Sequence, residues 1–290
     1  MRRHSPCVGI CKLDDATGYC LGCGRSGDEV AQWVVMSEAQ RDDVWLKLPA
    51  RLEILGVRLR LLPWTPEELL IWIAETIAVR RGTWMIGASD VVARFSCTAE
   101  REIEIKNVGD GVIARTAEAA FRLRINDKVR AFAFAEEGPV VLGLPNGRAA
   151  MPLCAALSAL GPDGDAIDER RRHDSLFDFG FGHTSSRYCI RTDDAALAEI
   201  LSANAGRHWP EVEPIICNQL ESLRAACIAE TAVARIEVFA PVSLPSSDAT
   251  RTPVHVLPGF VKSCEEIPAD LALPDYASPV AIFYPSSAPI

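Results

Sequence analysis

Between Val91 and Leu144 the hydrophobic positions recur with period two. Glu102-Ile-Glu-Ile-Lys106 and Phe121-Arg-Leu-Arg-Ile125 alternate strictly, as a half-buried antiparallel sheet requires. Turn residues fall between the runs at Asn107–Gly111, Asn126-Asp127 and Glu136–Gly138. The pattern predicts a meander with strands at 90–97, 101–107, 111–116, 119–125 and 128–135, and a sixth at 139–144. On either side of it the rhythm is helical. Ser26-Gly-Asp-Glu opens a helix through about Val35, and Ser37-Glu-Ala-Gln40 is a capping-box pattern that starts another at Glu38. That second helix is expected to bury Val44, Trp45 and Leu48 and to stop before Pro49. Thr65 as N-cap, Pro66 at N1 and the acids Glu67 and Glu68 define a third helix, closed by Arg80, Arg81 and Gly82.

Beyond the meander the pattern predicts a helix at 149–160 ended by Gly161-Pro162, then a charged, exposed connector over Pro162–Ser175. The last third reads strand 186–192, helix 194–205, helix 214–229 with Pro214 at N1, and strand 231–239. Pro241–Pro258, rich in Pro, Ser and Thr, reads as a loop, and a strand at 279–284 closes the chain. The fold class expected is α+β: a small four-cysteine metal knuckle with two short helices as a module over 1–55, then a larger mixed domain over 65–290. The larger domain combines the antiparallel meander with a βααβ-like C-terminal half, with a sub-division near 162–175.

Composition fits an ordinary globular protein, 49% hydrophobic and 24% charged. The formal charge of −9 is uneven: residues 1–60 carry nine Lys/Arg against eight Asp/Glu, and the remainder twenty-one against thirty-one. An acidic body argues against nucleic acid as a partner, because that binding relies on clustered cations. No apolar run after Arg2 and Arg3 makes a secretory signal, and Leu69–Val79 is too short to span a bilayer and contains Glu75. A cytoplasmic location is expected, with no membrane contact.

The chemistry is concentrated in Ser5–Ser26, S-P-C-V-G-I-C-K-L-D-D-A-T-G-Y-C-L-G-C-G-R-S. Cys7, Cys11, Cys20 and Cys23 are spaced C-x3-C-x8-C-x2-C, and glycines at 9, 18, 22 and 24 break any regular element among them. Two such pairs on tight turns can meet around one tetrahedral ion, the geometry of a structural zinc held by four thiolates. The same thiolates can hold an iron–sulfur cluster; zinc is the first reading and the cluster the alternative. A reducing compartment disfavours disulfides. Four thiolates around zinc carry a charge of about −2, and Arg2, Arg3, Lys12 and Arg25 lie near enough in sequence to offset it.

These residues also carry a resemblance. S-P-C-V-G-I-C-K-L-D, G-Y-C-L-G-C-G-R, the run Asp28-Glu29-Val30-Ala31-Gln32-Trp33, Met36-Ser37 and Leu48-Pro49-Ala50-Arg51 resemble the small bacterial YdhL-like family. That family is labelled domain of unknown function 1289 and described as a predicted iron–sulfur protein. The resemblance covers about 5–52 and implies that the four cysteines are the ligand set. Gly82-Thr-Trp-Met-Ile-Gly, Leu176-Phe-Asp-Phe-Gly-Phe-Gly, Tyr188-Cys-Ile-Arg-Thr-Asp-Asp and His255-Val-Leu-Pro resemble an uncharacterised bacterial domain family over roughly 65–290. No activity comes with that second resemblance.

Other candidates are weaker. Phe179-Gly-Phe-Gly-His183 lacks the third glycine and the strand–turn–helix setting of a dinucleotide site, and reads as a tight aromatic loop. His183, Cys189 and Asp193 could form a nucleophile set, but Cys189 sits mid-strand, where a buried inert thiol is expected. His183 and His255, with His173, Asp174 and Asp178, form a candidate ligand loop on which an enzymatic or small-ligand-binding larger domain would depend. Arg170-Arg-Arg172 reads as a solvated run pairing with Asp168 and Glu169, and Trp72 and Trp84 as core aromatics. The expectation is a metal-binding accessory protein with an unidentified protein as partner, leaning away from an enzyme; the alternatives are an iron–sulfur redox or iron-sensing protein and an enzymatic or small-ligand-binding larger domain.

Overall fold

The structure, a computed structural model, describes residues 5–7, 11–57, 60–88, 91–98, 102–133, 138–220, 225–239, 273 and 277–285. His255, Arg2, Arg3, His4 and the 241–258 loop lie outside them. In chain order the elements begin with α1 (Gly27–Gln32), α2 (Glu38–Ile54), β1 (Arg60–Leu61) and α3 (Pro66–Ala78). Then come β2 (Thr83–Ala88), β3 (Val91–Ser96), β4 (Glu104–Val108), β5 (Gly111–Arg115), β6 (Ala119–Arg124), β7 (Arg130–Ala133) and β8 (Val140–Pro145). A single turn α4 (Asn146–Ala149) leads to β9 (Ser158–Pro162), β10 (Ser175–Asp178) and β11 (Arg187–Thr192). The helices α5 (Ala195–Ala203) and α6 (Trp209–Leu220) precede β12 (Ala225–Glu230), β13 (Ala234–Val238) and β14 (Ala277–Tyr284). Among the described residues no helix is long and apolar enough to cross a membrane.

The fold is α+β with two antiparallel sheets. One has the order β1-β7-β8-β14-β2-β3, the other β4-β5-β6-β13-β12-β11-β10-β9. The sheets face each other with β2 and β3 against β12 and β13. Trp84 stacks on Phe121 across the interface at 5.4 Å, and Phe95 on Phe121 at 5.6 Å. Trp72 meets Trp84 edge-on at 5.7 Å, and the Trp84 indole donates to the Thr76 hydroxyl at 3.0 Å. Both tryptophans therefore belong to the core, as expected. The other face of the six-stranded sheet is covered too. Phe132 and Val141 pack under Trp33, Val44, Trp45, Leu48 and Leu52 of the N-terminal segment.

This double coverage explains several departures from the sequence reading. The stretch 90–144 is not one meander: β3, β7 and β8 join one sheet while β4, β5 and β6 join the other. Alternation tells which face is wet, not which sheet a strand enters. β2 was not foreseen. α2 runs through Pro49 to Ile54, because Leu48 and Leu52, both essentially inaccessible, hold it against the sheet. That burial outweighs the one helix hydrogen bond that proline removes.

The helix expected at 149–160 is absent. Met151 donates its N–H to Thr184 O and Leu157 to Arg207 O, so the segment runs extended into β9. The helix expected at 214–229 is instead α6, which starts at Trp209 with Pro214 inside it, while 225–230 forms β12 between β11 and β13. The order strand–helix–helix–strand nevertheless holds, from β11 to β12.

Pro162–Ser175 joins two neighbouring strands, and it is not simply exposed. Asp163, Ala166 and Ile167 are buried on the outer face of the eight-stranded sheet. There Asp163 pairs with Arg191 at 3.1 Å and with Arg235, and Glu237 accepts from Arg191 at 2.7 Å, Arg235 at 2.8 Å and the Ile167 N–H at 2.9 Å. Arg122 bonds Asp165. The arginines that alternate along β6 and β13 thus face a charged strap. Burial alone would raise the Glu237 carboxyl, but Arg235 and Arg191 hold it below its ordinary value.

The Gly180 and Gly182 backbones both have positive φ, +73° and +75°. A Cβ at Gly180 would come within 2.1 Å of the Ala156 backbone, whereas one at Gly182 would meet nothing within 4 Å. The aromatic loop thus needs its first glycine for close approach and its second for conformation only. Gly180→Ala should cost more than about 3 kcal/mol in urea unfolding and Gly182→Ala about 1 kcal/mol. Equal losses would refute that difference.

Candidate metal centre

The cysteine segment is shaped by turns. The Asp14 carboxylate accepts from the Thr17 N–H at 2.8 Å and its hydroxyl at 2.7 Å, and Gly18 N–H donates to Asp14 O. The returning strand bridges Leu13 to Cys20 and Tyr19 to Ser26. At the second turn the Cys20 carbonyl accepts from the N–H groups of Cys23 and Gly24 at 3.1 and 2.7 Å, and the Cys20 N–H donates to Arg25 O at 2.7 Å. Gly24 (φ +73°) lies on α2 so closely that a Cβ would touch the Leu52 side chain at 3.4 Å.

Arg51 of α2 fastens this half. Its guanidinium forms a two-pronged pair with Glu29, reaches Gly24 O at 3.3 Å, and lies over the Tyr19 ring at 4.7 Å. Glu29 also closes the capping box of α1 by accepting from Ser26 N–H at 2.9 Å. Burial opposes the Glu29 charge, but Arg51 and the Ser26 N–H bring its carboxyl below the ordinary range.

The thiols lie as two pairs, Cys7 with Cys11 and Cys20 with Cys23. Cys7 acts on the Cys11 thiol, and Cys23 on the Cys20 thiol. Cys20 and Cys23 are buried, Cys7 is half-buried and Cys11 sits at the exposed rim. The Cys23 thiol, with the N–H groups of Gly22, Cys23 and Lys12, holds the Cys20 thiol down at about 5. Cys23, paired with Cys20 and itself buried, is pushed far up. Partial desolvation and the neighbouring Cys7 and Cys20 raise Cys11. Among the described residues no three of His, Cys, Asp or Glu already stand as a ligand group. What the turns bring together is therefore a pair of thiol pairs, not a closed cage.

The surroundings are cationic. Arg25, 3% exposed, points its Nε–H at Cys23 Sγ (3.4 Å) and lies over Trp33 at 4.8 Å. Arg130 of β7, 4% exposed, donates to the carbonyls of Ser5 (3.0 Å) and Cys7 (2.6 Å). Burial lowers Arg130 to about 10, against the pull of Cys7, Asp127 and Cys23. Lys12, expected to share this duty, is exposed. Arg130 was not foreseen, since it is 123 residues from Cys7 and sits in a strand whose pattern marks only a sheet.

The donor set fits a thiophilic ion. Four sulfurs on glycine-rich turns are the ligands zinc or an iron–sulfur cluster takes. The two buried guanidiniums match the charge of about −2 that four thiolates leave on zinc.

Among the described residues the rival candidates do not converge, and His255 lies outside them. His183 packs its ring against Phe181 (6.5 Å) and Tyr188 (5.9 Å), while His173 is exposed. Asp178 caps the Gly180 N–H and pairs with Arg187, and its carboxyl is raised by burial. Cys189 lies on the opposite face from Tyr188, among Leu176, Ala226 and Ile228, and burial keeps its thiol protonated. Asp193 pairs with Arg171 at 2.7 Å, and Arg170 and Arg172 with Asp168 and Glu169. A hollow of about 340 Å³ on this side is lined by Asp168, Arg171, Asp174, Arg191 and Asp193, whose charges are already paired with one another or with their neighbours.

Fold and thiols together define a two-sheet α+β protein with a cysteine-rich segment docked on one sheet. Residues 68–290 match the family of unknown function DUF6925, and the chain belongs to that family. Residues 5–52 match a second family, the proteins of unknown function DUF1289. Over 41 residues, 14% of this chain, it is 48% identical to the uncharacterized protein YdhL of Escherichia coli K12 and to YdhL of Shigella flexneri. The chain spans about half the length of these curated relatives. No solved structure matches it.

Arg51→Lys keeps the charge but loses the fork and the stacking face. It should lower the unfolding free energy of the N-terminal segment by about 1–2 kcal/mol, seen as faster proteolysis within 11–35 while 138–220 stays protected. Uniform loss of protection would contradict the local role.

Proposed function

We propose that this chain is a metal-binding protein in which Cys7, Cys11, Cys20 and Cys23 hold one structural zinc, and that it works as a binding or accessory protein. What supports this reading is the pairing of Cys7 with Cys11 and of Cys20 with Cys23, with the buried guanidinium of Arg25 on the Cys23 sulfur and that of Arg130 on the Cys7 carbonyl. Burial without counter-charge is costly for a guanidinium, and thiolates bound to a cation supply that charge.

A bound zinc would cross-link the two turns. The segment itself supplies the rest: backbone N–H groups at Cys20 that favour the anionic sulfur, Arg25 beside Cys23, and Arg51 holding the turn to α2. The setting is read as reducing and cytoplasmic, where clustered thiols bind metal more often than they pair as disulfides. The partner would be a protein and not nucleic acid, given the acidic body.

Metal and acid-labile sulfide content decide the matter, on protein purified without oxygen or a metal-affinity tag. We expect about one zinc per chain and no colour. Cys20→Ser or Cys23→Ser should abolish it and expose the first fifty residues to protease. Cys97→Ser and Cys154→Ser should leave it unchanged. Iron with matching sulfide would replace zinc by a cluster, and absence of both metals would overturn the reading.

A further inference from the structure

The two halves of the cysteine site are fastened differently. Cys20 and Cys23 sit in a turn with its own backbone bonds, anchored to α2 through Arg51 and Gly24. The Cys7 half is anchored from far away in the chain. Arg130 lies on β7, inside the six-stranded sheet between β1 and β8. Its Nη2 donates to both Ser5 O and Cys7 O, while Nη1 donates to Asp127 O and Val129 O at 2.8 Å each. One guanidinium thus staples the backbone entering Cys7 to the start of β7. Among the described residues its Nε is buried without a hydrogen-bond partner, and the Cys7, Asp127 and Cys23 groups act on its charge. An orphaned buried donor is costly to keep.

We propose that Arg130 is a positioning residue for the cysteine site, supplied by the sheet of the larger family region, and that it sets Cys7 for metal binding. This rests on the metal-binding reading above. The residues matching DUF1289 contain all four thiols, yet in this chain the site is completed by a residue from the DUF6925 match. Metal occupancy and the docking of the N-terminal segment on β7 are then linked: whatever tightens Cys7 tightens the staple, and loss of the staple loosens Cys7.

The test uses the full chain with Arg130→Lys and Arg130→Met, loaded with cobalt(II) as a spectroscopic stand-in for zinc and titrated against a chelator. Lysine keeps the charge but lacks the fork that spans four carbonyls. Removing a residue that orients a ligand typically weakens metal binding about 10–100-fold. We expect about 10-fold weaker binding for Arg130→Lys and about 100-fold for Arg130→Met. The thiolate-to-cobalt absorption of Arg130→Met should fall by about a quarter, as one of four sulfurs is lost. A purely structural role for Arg130 would lower stability and leave the spectrum per bound metal unchanged. Should Arg130→Met fail to fold, Arg130→Lys decides alone. Wild-type affinity and a four-thiolate spectrum in Arg130→Lys overturn the proposal. A wild-type chain that takes up no metal overturns the metal-binding reading itself, and shows it before any variant is examined.

Discussion

A guanidinium taken out of water needs acceptors or opposite charge, and Arg130 meets that need where the N-terminal cysteines reach the sheet. Four carbonyls take its Nη hydrogens, and Cys7, Asp127 and Cys23 act on its charge. Arg25 approaches Cys23 as the second buried cation. Two buried positive charges around four thiols make sense if those thiols are thiolates on a cation. The packing of Trp33, Trp45, Leu48 and Leu52 on Phe132 and Val141 brings the partners together.

The same rule governs the far side of the molecule by a different route. On the outer face of the eight-stranded sheet Arg191 and Arg235 are met by Asp163 and Glu237, so cations and anions are both internal. Nothing has to bind there for the charges to be met. Around the cysteines the buried cations Arg25 and Arg130 are met by backbone carbonyls, by Asp127 and by the thiols of Cys7 and Cys23, which is why chemistry is assigned to that end.

The sequence displays the ends of elements well where capping side chains mark them. The Ser26, Ser37 and Thr65 boxes all form, because each is a local exchange of hydrogen bonds over three residues. Partition between sheets is not local. β2 and β8 are covered on both faces and show no alternation, and the Ala-rich stretch 225–230 has helix propensity that its pairing with β11 and β13 overrides. At the site the four cysteines stood out by spacing, with Arg25 beside them. Arg130 and Asp163 could not stand out, since a lone charged residue in a strand or a connector shows no sign of burial until its distant partner is placed.

The central claim is that all four N-terminal cysteines bind one metal through sulfur. X-ray absorption at the metal edge of the native full-length chain tests it most directly. The account predicts a shell of four sulfurs, at about 2.3 Å if the metal is zinc. A shell dominated by nitrogen or oxygen at about 2.0 Å, with two sulfurs or fewer, would contradict it.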